Sequence, residues 1–143
     1  MDNDDIVKKL LTERFGYKNV DELMNTKGDF RDIASFTDAE KEECQPLIKK
    51  IEELHKIGRT QGFLAFEEEM EHEQDIFFKE AFIMAADAYE QDVIRKVLQK
   101  AIIAEKPEGA KLLGRLLTIH GILCIVRGEA STNQQHEYLP GGC

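Results

Sequence analysis

Apolar residues recur along this chain at spacings of three and four, the period of helices that pack by one face. Ile6, Val7, Leu10 and Leu11 form the first stripe and predict a short helix over 4–14, with Gly16 as its C-terminal stop. A second short helix is expected over 20–24. Residues 25–36 hold Asn25, Gly28 and Asp29 and read as a loop with room for a turn of helix. Thr37-Asp38-Ala39-Glu40 has the form of a capping box, in which the Thr hydroxyl and the Glu carboxylate satisfy each other's backbone amides. A long helix should follow. Leu47, Ile51 and Leu54 lead its stripe, Phe63, Leu64 and Phe66 continue it, and Pro46 marks a kink or a true start. The acidic stretch Glu67 to Glu73 reads as the solvated end of that same helix. Asp75 to Tyr89 is apolar over more than half its circumference and predicts a buried helix. Asp92 is expected to cap another, with Ile94, Leu98 and Ile102 four apart. Pro107 suits the first turn of a last helix over about 108–127. Its apolar set is Leu112, Leu113, Leu116, Leu117, Ile119, Leu123 and Val126. No strand pattern is present. The predicted fold is all-α, a compact bundle of about four main helices plus a small N-terminal helical segment.

Three regions follow from this pattern: a helical cap over 1–36, the main helical domain over 37–129, and a polar tail over 130–143 expected to be disordered. A length of 143 residues suits one domain with a real core. The net charge of −9 argues against nucleic-acid backbones and anionic membranes, and permits a basic partner surface without requiring one. Cys44, Cys124 and Cys143 are odd in number and lack metal-ligand spacing, so free thiols in a reducing compartment are expected. The acidic start Met-Asp-Asn-Asp-Asp does not resemble a signal peptide. The apolar run from Leu116 to Val126 falls short of the roughly 20 residues that span a bilayer. No transmembrane helix is expected, and the chain reads as soluble and cytoplasmic.

The most unusual stretch is Arg59-Thr60-Gln61-Gly62-Phe63-Leu64-Ala65-Phe66-Glu67. On a continuous helix Gly58 and Gly62 would share one face and make a smooth notch for a close-packed neighbour. The loss in helix propensity is about 1 kcal/mol per Gly. Arg59 and Glu67, eight apart, would lie on one edge, separated by about 12 Å of axial rise and so not locked together.

This stretch resembles the Arg-x-x-Gly-x-Leu-Ala-Leu-Glu signature in the cytoplasmic loop of MotA-type flagellar stator subunits. Asp75-Ile76-Phe77-Phe78-Lys79 is similar to that family's Asp-x-Phe-Leu-Lys segment, and residues 87–102 resemble its Asp-Gly-Tyr helix, with Asp87-Ala88 where the family has Asp-Gly. Residues 121–129, Gly-Ile-Leu-Cys-Ile-Val-Arg-Gly-Glu, are similar to the segment after its last membrane helix. The likeness spans roughly residues 45–129. It implies an all-helical cytoplasmic domain in which Arg59 and Glu67 meet charged residues of a rotor switch-complex protein. The family's membrane helices have no counterpart here. Their absence removes the ion path, because only spanning helices or barrels cross a bilayer. Two cytoplasmic pieces joined through Glu105-Lys106-Pro107-Glu108 would account for the arrangement.

Other candidates are weaker. Glu52-x-x-His55 and Glu69-x-x-His72 have the spacing of di-iron ligands. On one expected helix they would sit about 25 Å apart, too far to share a metal. His120 reads as a core histidine, Cys124 as a small buried hydrophobe, and the phenylalanines as packing. No phosphate loop, nucleophile elbow or triad spacing occurs, so no enzyme activity, cofactor or metal is assigned. The leading reading is a stator-like interaction module with a protein partner. The alternatives are a regulatory or structural helical protein that has left the motor, and a small carboxylate/His metal protein.

Overall fold

The computed structural model describes residues 2–128, and these are all-helical, with eight helices of which five are long. Three of the helices open on a side-chain cap. The Asp2 carboxylate accepts from the Asp5 backbone N–H at 2.9 Å and opens α1 (Asn3–Glu13). Gly16 closes it at φ +75°, returning its own N–H and that of Tyr17 to the Thr12 and Leu11 carbonyls. After α2 (Val20–Asn25) comes a 3₁₀ turn (Ile33–Ser35). Lys100 donates to the Met24 and Thr26 carbonyls and so closes the end of α2 from outside. The Thr37–Glu40 capping box forms in full and opens α3 (Asp38–Glu43).

The expected long helix is divided twice. It breaks at Cys44, after which α4 (Gln45–Gln61) starts with Pro46 in its first turn. It breaks again at Gly62, so that α5 (Ala65–Glu69) is a separate short helix. The Asp75 carboxylate then accepts from the Phe77 and Phe78 amides and opens α6 (Ile76–Ala86). α7 (Gln91–Glu105) begins after Glu90 rather than at Asp92, which sits in its first turn. It ends at Lys106, a left-handed residue, and Pro107 precedes rather than enters α8 (Gly109–Val126).

α8 is the axis of the molecule. Leu113, Leu117, Ile122 and Ile125 are buried along it against α3, α4, α6 and α7. It corrects the expectation of no span-length apolar segment: its 18 residues, at mean hydropathy 1.5, are long and apolar enough to cross a membrane. Here 61% of them are buried inside the protein. The N-terminal region packs on the same core as the rest. α1 is a fifth long helix, and its Val7, Leu10 and Leu11 join the same core as the rest, against α7. Arg14 fixes it to α6 through Glu80 at 3.0 Å and Asp87 at 2.8 Å. The tail from 130 to 143, with its expected disorder and Cys143, lies outside the described residues.

Candidate protein-interaction site

Gly62 creates the site. Its backbone, at φ +86° and ψ 165°, lies in a region open essentially to glycine alone, and it turns the chain out of α4. Three tight returns follow, from Ala65 to Gly62, Phe66 to Phe63 and Glu67 to Leu64. The chain then doubles back on α4, where Gly58 receives it. A Cβ built at Gly58 would stand 2.9 Å from Phe66 Cζ and 3.3 Å from the Phe63 ring. The two rings stack at 5.6 Å, and Phe66 meets Phe82 edge-on at 5.1 Å. The close approach predicted for this stretch therefore occurs at Gly58 only, and the neighbour is the chain's own next segment. Gly62 is not on a shared helical face and has no heavy atom within 4 Å of a built Cβ.

Arg59 and Glu67 accordingly stand on different helices, Arg59 in the last turn of α4 and Glu67 in the first turn of α5. The expected common edge does not exist, because the bend at Gly62 interrupts it. Both residues are exposed, and no ion pair involves either of them among the described residues. Between them Leu64 is 70% exposed. The helical stripe predicts Leu64 on the apolar face, but the bend at Gly62 interrupts the stripe and turns Leu64 outward.

The remaining candidates are scattered. On α4, His55 is buried and Glu52 half-buried, with burial pushing the Glu52 carboxyl above the usual carboxylate range. Glu69 and His72 are exposed beyond the bend. Among the described residues no group of three His, Cys, Asp or Glu is placed to hold a metal. His120 is half-buried on α8, its Nε2 3.8 Å from Cys124 Sγ. Cys44 is free and buried, its Sγ donating to the Ala110 carbonyl at 3.4 Å, and burial pushes its thiol up, away from reactivity.

Compared with protein-family profiles, curated proteins and solved structures, the chain finds no match.

Proposed function

We propose that the protein is a stator-like interaction module of the cytoplasm, related in sequence to the cytoplasmic domain of MotA-type subunits, which binds a charged helical surface such as that of a rotor switch-complex protein. α8, its one helix of spanning length among the described residues, is mostly buried in the core, which suits a cytoplasmic module better than a spanning one. The observation that supports this reading is the exposure of Arg59 and Glu67 on either side of the Gly62 bend, neither spent on an internal ion pair among the described residues. Arg14, Lys50, Lys96 and Arg115, by contrast, each hold a carboxylate distant in the chain. Exposed charges left over contribute little to folding, and are suited to steering a partner and fixing its register.

The test is a binding titration between the purified protein and the charged helical domain of a rotor switch-complex protein, at low and high salt. Arg59→Glu and Glu67→Lys should each weaken binding and reduce its salt dependence, with helix content and unfolding midpoint unchanged. Wild-type strength of binding in both variants, or no binding by the wild-type chain, removes the reading.

A further inference from the structure

A cleft of about 600 Å³ opens beside the α4–α5 corner. Phe63, Ala85, Ala86 and Val126 line it, Leu64 forms one lip, and Tyr89 with Glu90 forms part of the other. The cleft exists because three element ends meet without filling the space between them: the Gly62 bend, the α6–α7 turn and the last turn of α8. Isolated exposed leucines are common on soluble proteins and carry no message. Leu64 differs in lining a cleft of pocket size with apolar and polar walls, and only Leu64 and Ile76 are large exposed hydrophobics among the described residues.

Glu90 and Asp92 are the acidic residues that line the cleft, and two further carboxylates stand beside it on the Leu64 side. Glu67 and Glu68 follow Leu64 by three and four residues, so all three project from the same side of the short α5 turn. Both are exposed, and so is Glu90 across the cleft. Among the described residues no ion pair engages any of these three carboxylates. Asp92, also at the rim, is held by Arg95 at 3.0 Å, and Arg127 donates to Gln91 at 2.9 Å. The N-terminal end of α7 would attract an anion, but Glu90 and Asp92 already occupy that field. With a net charge of −9, a second copy of this chain is an electrostatically poor occupant.

We infer that this cleft docks a basic amphipathic helix of a partner protein, which inserts one apolar side chain between Leu64 and Tyr89 and sets Lys or Arg against Glu67, Glu68 and Glu90. The inference rests on the interaction-module reading for its biological setting, but on different residues, apart from Glu67. An apolar anchor in a pocket with charges around it is the usual division between affinity and register in helix-in-groove binding.

The experiment uses the full chain and a fluorescein-labelled synthetic amphipathic peptide built of Leu and Lys, followed by anisotropy. Leu64→Ala and Glu90→Lys should each weaken binding about tenfold, as expected for loss of an anchor or reversal of a facing charge. Glu42→Lys, the same charge change on α3, serves as the control and should have little effect. Circular dichroism of each variant establishes that it is folded. Equal losses in Leu64→Ala, Glu90→Lys and Glu42→Lys, or no loss in the first two, mean unspecific attraction to an acidic protein and overturn the proposal. A concentration-dependent dimer in sedimentation that Leu64→Ala abolishes assigns the cleft to a second copy and also overturns it. Arg59→Ala separates the two proposals. Peptide binding that needs Leu64 but not Arg59, with no binding to the rotor-type protein, supports the cleft and removes only the Arg59–Glu67 reading. Rotor-type binding that needs Arg59, with peptide binding indifferent to Leu64, does the opposite.

Discussion

Ala88 has φ +64°, a left-handed backbone that disfavours any residue with a Cβ. It stands at the end of α6 in a Schellman arrangement: its N–H returns to the Ala85 carbonyl and that of Tyr89 to Met84. Glycine is the residue this position favours. Ala88→Gly should therefore raise stability by about 0.5–1 kcal/mol in urea unfolding, the relief of strain exceeding the extra entropy of an unfolded glycine. The two glycines of the corner respond in the opposite sense and for different reasons. Gly58→Ala drives a Cβ toward the Phe66 ring, which is fully buried and wedged against Phe82. Overpacking of about 1–3 kcal/mol should outweigh the roughly 1 kcal/mol gained in helix propensity. Gly62→Ala meets no clash but forces alanine into a glycine-only conformation, at about 1–3 kcal/mol. An unfolding midpoint unchanged in either alanine variant would contradict this account of the corner.

Between elements, Arg115 is the main polar link. From α8 its guanidinium grips both Glu105 oxygens at the end of α7, each at 2.9 Å, and reaches Asp75, the cap of α6, at 2.6 Å. It also lies over the Phe77 ring at 4.6 Å. Its hydrogen bonds hold the Glu105 carboxyl below the usual carboxylate range, against the opposing effect of burial. Glu73 is also lowered: burial raises it, and the bonds from Lys50 and the Asp75 amide outweigh that. The sign of the linkage follows. A carboxyl with a lower pKa folded than unfolded stabilises the fold above its unfolded value of about 4.3, and loses that contribution as pH falls through the folded value. Stability should thus decline from about pH 4 downward. Arg115→Leu should lower stability at neutral pH by about 1–2 kcal/mol and flatten the acid decline, leaving the Glu73 part in place. An acid profile identical to wild type in that variant would exclude Glu105 as a source.

At the scale of the whole molecule, α8 is packed against α3, α4, α6 and α7, while α1 and α2 lie on α7 and α5 on α4 and α6. Leu117 is fully buried, whereas its neighbour Leu116 is only partly so. Leu117→Ala should cost about 2–5 kcal/mol, and Leu116→Ala distinctly less. Equal losses from the two would mean that α8 sits in a different rotation from the one described. The same helix explains why an apolar segment of membrane-spanning length belongs to this fold. A helix covered by α3, α4, α6 and α7 has little polar face to keep, so its composition approaches that of a spanning helix.

Local chemistry was legible without the fold. Thr37 with Glu40 and Gly16 at a helix end each act within a few residues, so their types alone placed those boundaries, whereas Pro46 was compatible with a kink or a start and the structure makes it a start. The all-helical class followed from periodicity for the same reason. Rotation and interruption were another matter. α8 is apolar on nearly every side, so spacing could not separate Leu113 and Leu117 from Leu112 and Leu116. Glycines four apart are compatible with one helical face or with a helix end. The choice was made by Phe63 and Phe66, which gain burial only if the chain turns at Gly62 and lays them on Gly58. That turn separated Arg59 from Glu67, exposed Leu64 and opened the cleft toward Tyr89 and Val126, residues distant in the chain. Exposure of Arg59 and Glu67 could be read from their charge. Which surface they belong to was decided by burial of aromatic area between segments, a tertiary quantity that no local pattern carries.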